Sequence, residues 1–127
     1  MLILKDLLYT KDHDWVKVEG NKAYLGITDF AQKALGTIVY VELPEVGAEF
    51  SEGDAFAVIE SVKAASDIFA PLDLIVLEVN EEVTNEPSLI NQDCYKNWMA
   101  LIKLPDTSKL QDFLSSSDYE ELCKREA

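Results

Sequence analysis

What this chain lacks narrows its chemistry before any motif is read. It has two cysteines, Cys94 and Cys123, far apart and without C-x-x-C spacing. Two free thiols in a reducing compartment is the simplest expectation. Histidine occurs once, at His13. One imidazole and two scattered thiols offer no close-spaced ligand pairs, so no metal site is expected. No apolar run approaches the roughly 18 residues that span a bilayer, so no membrane partner is expected. The opening Met1-Leu2-Ile3-Leu4-Lys5-Asp6 is too short and mixed for a signal peptide, and it lacks the Arg/Ser-rich look of a transit peptide. The expectation is a cytoplasmic protein of bacterial or archaeal type, or a mature mitochondrial form if the source is eukaryotic. Basic residues are scarce: 11 Lys plus Arg stand against 24 Asp plus Glu, for a net charge of −13. Such a surface repels phosphate backbones, which argues against nucleic acid. It favours solubility, and it equally steers the chain toward basic partner surfaces.

What is present is a chain of 127 residues, 48% of them hydrophobic, enough for one domain with a core that needs no staples. Trp15 to Glu19 alternates apolar and polar, as a half-buried strand does. Gly20-Asn21 is a turn signal, and Ala23 to Ile27 reads as the partner strand. Asp29 is placed to cap a short helix, with Gln32 as its capping-box partner, Phe30, Ala34 and Leu35 as its apolar face and Gly36 at its end. Thr37 to Leu43, rich in β-branched residues, reads as a strand that Pro44-Glu45-Val46-Gly47 breaks. Ala55 to Ser61, Ala65 to Phe69, Leu74 to Val79 and Met99 to Leu104 read as further strands. Asn85 to Ser88 reads as a loop or single helical turn. Ser117-Asp118-Tyr119-Glu120 is a capping box for a C-terminal helix through Lys124. Short strands with frequent turns predict a small β-sandwich or barrel with peripheral helices. A weak echo at an offset of 33 aligns Val46-x-x-x-Phe50 with Val79-x-x-x-Val83, and Phe56-Ala57 with Leu89-Ile90. A true repeat would mean two similar half-motifs with Lys63 near a pseudo-symmetric tip, the layout of lipoyl and biotinyl carrier domains. No long heptad run appears, so a monomer is the default expectation.

Lys63 stands between two strand-like runs, in Glu60-Ser61-Val62-Lys63-Ala64. Small residues follow it, so little crowds its amine. Most lysines are simply solvated surface groups, and this one in isolation is read the same way. Its setting also suits enzymatic modification into a mobile arm. His13, next to Trp15, reads as a structural hydrogen-bonding group, with a general base as the alternative.

Several motifs occur in the order found in one family. Tyr9-Thr10-Lys11-Asp12-His13-Asp14-Trp15 opens the series, with Asp14 where glutamate is usual. Leu25-Gly26-Ile27-Thr28-Asp29-Phe30-Ala31-Gln32, Leu35-Gly36 and Val41-Glu42-Leu43-Pro44-Glu45-Val46-Gly47 follow. Glu60-Ser61-Val62-Lys63-Ala64, Ala70-Pro71 and Glu78-Val79-Asn80 complete it. Over about residues 7 to 125 the chain resembles the glycine cleavage system H-proteins. The resemblance implies a mainly β fold, a lipoyl/biotinyl-type β-sandwich (barrel-sandwich hybrid) with short peripheral helices and a C-terminal helix. It also implies one carrier domain over 1–127, with a core at about 7–105 and a helical extension at about 107–125.

The resemblance further implies that lipoate is the cofactor, joined by an amide to Lys63 and framed by Glu60, Ser61, Val62 and Ala64. It implies a carrier that is not itself an enzyme. The implied partners are glycine decarboxylase, aminomethyltransferase, dihydrolipoamide dehydrogenase and a lipoate-attaching enzyme. The first places an aminomethyl group on the arm, the second passes the one-carbon unit to tetrahydrofolate, and the third reoxidises the arm. The cargo ends in a cationic amine, and Asp12, Asp14 and Asp67 are the candidate carboxylates to cradle it.

Two departures from the family are visible. Leu74 stands where glycine is usual, which predicts either a rebuilt turn or a strained one. Asp93-Cys94-Tyr95-Lys96-Asn97-Trp98 has cysteine where proline is usual, and the segment is about one residue shorter. Other functions stay open at this point. A lipoyl relay, donating lipoate to 2-oxoacid dehydrogenases, would use the same Lys63. A biotinyl carrier would usually place methionine beside the lysine, where Val62 and Ala64 stand. An unmodified acidic binding module would leave Lys63 merely exposed.

Overall fold

A computed structural model describes residues 1–126. Among the described residues nine strands run along the chain, interrupted or followed by four α-helices and one 3-10 helix. One sheet has six strands in the order β1 (Leu8–Tyr9), β2 (Asp14–Glu19), β3 (Lys22–Ile27), β9 (Ala100–Lys103), β8 (Leu74–Val79), β5 (Glu49–Phe50). The other has three, β4 (Ile38–Glu42), β6 (Ala55–Ser61) and β7 (Ala65–Phe69), with β6 in the middle. All pairings are antiparallel. The main core lies between the sheets: Val16, Leu25, Ile27 and Ile102 from one meet Ile38, Val41 and Ile59 from the other. The mainly β sandwich expected from the sequence is the fold observed.

A second, smaller core sits outside the first sheet. Tyr9, Trp15, Tyr119 and Cys123 form it, under the C-terminal helix α4 (Ser116–Glu126). Its existence corrects the half-buried reading of β2. Asp14, Trp15 and Val16 are all buried, while Lys17, Val18 and Glu19 are exposed. The first half of this strand has the main core on one face and the α4 cluster on the other. Strict alternation survives only where one face meets water. Trp15 pairs with Gly26 across the strands. A Cβ on Gly26 would lie 2.6 Å from the Trp15 ring, so glycine is what lets the indole lie flat there. The indole nitrogen donates to the Cys94 carbonyl at 3.0 Å.

Helix α1 (Asp29–Leu35) starts one residue from where the sequence suggested. Thr28, not Asp29, is the N-cap, its hydroxyl accepting from the Ala31 N–H, and Asp29 is the first helical residue. Gln32 still reaches back to Asp29, its amide nitrogen donating at 2.8 Å. No residue of α1 is fully buried; Ala31 and Leu35 pack on the main core and Phe30 on the second cluster. Gly36 ends the helix, as expected, at φ 81° and ψ −155°, a conformation open to glycine but outside the left-handed helical cap, and its N–H donates to the Gln32 carbonyl. Helix α4 also begins earlier, with the Ser115 hydroxyl accepting from the Asp118 N–H, and it runs on to Glu126.

The segment read as a loop or turn is bracketed by two short helices, α2 (Glu81–Asn85), capped by Asn80, and α3 (Leu89–Gln92). The offset-33 echo does not mark a structural repeat, because Phe56-Ala57 lies in a strand and Leu89-Ile90 in a helix. Leu74 brings no strain. It opens β8 with its side chain in the core, and His13 is the non-glycine residue with positive φ among those described. Cys94 and Cys123 are free and buried, and burial pushes the Cys94 thiol up to about 12.

Candidate functional site

Strands β6 and β7 form a hairpin whose tip is Ser61–Ala64. Ser61 organises it. Its backbone N–H donates to the Ala64 carbonyl at 2.7 Å. Its hydroxyl accepts from the Lys63 and Ala64 N–H groups at 3.3 and 3.1 Å. Ser61 is itself buried, while Val62, Lys63 and Ala64 are exposed. The Val62 N–H donates to the Thr37 carbonyl, which ties the tip to the entry of β4. Glu60 is half-buried on β6, opposite Ala65 on one side and Tyr40 on the other. No ion pair involves Lys63 among the described residues. Its stem runs past Gly36, where an added Cβ would touch Cε at 3.7 Å. The tip is therefore a rigid loop that presents a lysine with nothing holding its amine.

A cleft of about 240 Å³ opens between α1, β7 and the turn that leads into β2. Its apolar wall includes Phe30, Ala31 and Leu35 from α1 and Ile68 from β7. Asp12, Asp14 and Asp67 all line it, so the structure brings together three acids spread over 55 positions of sequence. They differ in character. Asp67 and Asp12 are exposed, and Asp12 also borders an adjoining cleft of about 400 Å³, which makes it a ridge between the two. Asp14 is buried. Its carboxylate accepts from the Thr10 hydroxyl at 3.2 Å. Burial pushes its carboxyl from 3.8 up to about 8, the Thr10 bond opposing and Asp12 adding to the rise.

His13 belongs to the wall and not to any catalytic pair. One ring nitrogen meets the Tyr119 hydroxyl and the other the Glu126 carboxylate, both at 2.7 Å. The ring stacks on Phe30 at 4.3 Å, so the aromatic it leans on is Phe30 and not Trp15. The structural reading of His13 is the one the geometry supports.

Three contributors were not singled out from the sequence. Thr10 ties the turn together through the Asp12 and Asp14 N–H groups. Tyr119 bridges His13 to Thr28, hydroxyl to hydroxyl at 2.6 Å. Asn91 on α3 accepts from the Ile38 N–H and donates to Gln32 and the Gly36 carbonyl, which clamps the end of α1 to the start of β4. The bonds of Tyr119 and Asn91 join residues far apart in sequence and leave no local pattern to read, whereas those of Thr10 span two and four residues and form a local hydroxyl turn.

The paired antiparallel sheets, with a lysine at the tip of one hairpin, define a lipoyl-type barrel-sandwich domain. A solved glycine cleavage system H protein from Mycobacterium marinum superposes with a TM-score of 0.85, at 33% identity over 94% of this chain and 97% of that one. The family model for the glycine cleavage H-protein matches residues 7–126, and the chain belongs to that family. Its curated relatives include the glycine cleavage system H proteins of Thermoanaerobacter sp. (strain X514), 56% identical over 99% of this chain and 100% of the relative, and Alkaliphilus oremlandii (strain OhILAs), 57% identical over 100% of both. Family membership makes this chain a carrier component of glycine cleavage, in a family of lipoate carriers. No helix among the described residues is long and apolar enough to cross a membrane.

Proposed function

We propose that this chain is the lipoyl-bearing shuttle of glycine cleavage, with lipoate joined through an amide to Lys63, in one carrier domain spanning 1–127. The observation that supports it best is that one strand links tip to cleft: Lys63 precedes β7, and Ser66 and Asp67 on β7 line the acidic cleft. Bound at Lys63, lipoate supplies a disulfide that takes up the aminomethyl group of glycine together with two electrons. The rest of the task falls to the chain. Ser61 fixes the turn, and exposed Val62 and Ala64 leave room for an attaching enzyme to reach the lysine. Tethering then keeps the cargo at high effective concentration for each partner in turn.

The cleft suits an arm that ends in a cation. Phe30 and Ile68 exclude water, Asp67 and Asp12 supply carboxylates at the rim, and Asp14 adds a charge only once it has lost its proton. Asp14 adds a pH dependence. Near neutrality its carboxyl keeps a proton, which it must lose to pair with an ammonium group. Capture therefore weakens as pH falls below about 8, the value to which burial raises Asp14. The loaded arm is then held while the chain passes from glycine decarboxylase to aminomethyltransferase. Emptied of cargo, the arm is free for dihydrolipoamide dehydrogenase. These encounters belong to the cytoplasm.

Glycine–bicarbonate exchange, with fully lipoylated protein and its cognate decarboxylase, tests the shuttle. Exchange above the decarboxylase background is expected. Its absence, together with transfer of lipoate to 2-oxoacid dehydrogenase domains, would replace the shuttle with a lipoyl relay.

A further inference from the structure

The acidic wall of the cleft is held by one residue, at positive φ, clamped from the far end of the chain. His13 sits at φ 66°, a region uncommon for residues other than glycine, though histidine, like asparagine, enters it more readily than most. Its backbone is tied on both sides, the N–H donating to the Thr10 carbonyl at 3.2 Å and the carbonyl accepting from the Thr28 N–H at 3.0 Å. Its ring is held from α4 by Tyr119 and Glu126, and it stacks on Phe30, which also lines the cleft. Tyr119 is in turn fixed. Its hydroxyl meets Thr28 Oγ1, and its ring stacks on Tyr9 at 4.5 Å. The two acids of the turn, Asp12 and Asp14, flank this one residue.

We infer that His13 is the positioning residue of the cleft, and that α4, through Tyr119 and Glu126, aims Asp12 and Asp14 at the cargo and so sets how long the loaded arm stays. The inference rests on the reading of the cleft as the site of the loaded arm. The C-terminal helix then has a role that packing alone does not explain. It covers the outer face of β2, and it also fixes the residue on which the acidic turn pivots. A partner that loosened the Glu126 contact would relax the turn without touching the lysine hairpin.

Two measurements on the full chain test this. The first uses unlipoylated protein and follows amide hydrogen exchange. Tyr119→Phe keeps the ring stack and removes the hydroxyl that holds His13. Glu126→Ala removes the second clamp. His13→Asn keeps a residue that tolerates positive φ and removes the ring contacts. Each variant is expected to speed exchange in the Thr10–Asp14 turn by about fivefold, the factor carried by one net hydrogen bond. The Ser61–Ala64 amides serve as the internal reference and are expected not to change. Unchanged exchange in the turn, or an equal rise in both regions, would overturn the inference.

The second measurement is the lifetime of the aminomethyl-loaded arm, with Asp67→Asn in parallel. A shorter lifetime in Asp67→Asn and in the clamp variants supports the inference. A shorter lifetime in Asp67→Asn alone overturns the positioning role and leaves the cleft reading intact. Unchanged lifetimes in all of them overturn both.

Discussion

The lysine hairpin and the acidic wall are built on opposite plans. The side-chain bonds that shape the hairpin tip link residues two or three apart, all through the hydroxyl of Ser61. The wall has local bonds too, joining Thr10 to Asp12 and Asp14, but it also depends on bonds that cross 91 and 106 positions of sequence, through Tyr119. The tip is an exposed loop that needs little of the rest of the chain to keep its shape. The wall exists only when both ends of the chain are folded together. A carrier gains from this division. An attaching enzyme needs only a short, rigid epitope, whereas holding a small cation away from water needs burial and fixed charge, which only tertiary structure supplies.

Substitutions that break this contrast should act on one region and spare the other. The largest effect on stability is expected at Gly26→Ala, where the new Cβ would fall 2.6 Å from the Trp15 ring. Overpacking of this kind costs about 1–3 kcal/mol, read as a lower denaturant midpoint. Lipoylation of the folded fraction should stay normal. Asn91→Ala follows. It orphans the Ile38 N–H and the Gly36 carbonyl, a loss of about 1–3 kcal/mol in chemical denaturation. This variant sharpens the contrast, because Asn91 joins the end of α1, under the lysine stem, to β4.

Asp14→Asn probes the wall through pH. The folded chain keeps the Asp14 proton between 3.8 and about 8, where the unfolded chain releases it. Stability contributed by that proton is complete below the lower value and is lost as pH rises through the upper one. The amide should remove this loss, so the melting temperature of the variant should exceed that of the parent at pH 9 and match it more closely at pH 4. A gap that does not change with pH would show that Asp14 does not titrate in this window. The smallest stability effect belongs to Ser61→Ala, about 1 kcal/mol in denaturation. Its main consequence should be slower lipoylation, with cargo lifetime unchanged.

How much of this was legible in the sequence follows the same division. The runs Ala55–Ser61 and Ala65–Phe69 read as strands and are strands, because apolar residues recur on both sides of the short Val62-Lys63-Ala64 turn. Lys63 stood out for that reason. Strands β1 and β5 were not legible, since two residues carry no periodicity and their pairing is decided by a partner elsewhere. Helix α2 offers one buried residue, Val83, too little for a helical period. At the wall, the three acids were named through the family resemblance, yet nothing local marked Asp14 as the buried one. Asp14 lies on the same face of β2 as Val16, and its burial comes from what packs there, Phe56, Ile68 and Met99 among it, all distant in sequence. Tyr119 looked like an ordinary helix residue because each of its partners lies in the first 30 residues.

The central claim is that the tip, and Lys63 in particular, carries the arm that the wall receives. Intact mass of the chain, co-expressed with a lipoate-attaching enzyme that modifies other proteins in the same cells, tests it most directly. The account predicts one lipoyl addition on the parent chain and none on Lys63→Arg, with both proteins melting at the same temperature. An unmodified parent, or an addition that survives in Lys63→Arg, would contradict it.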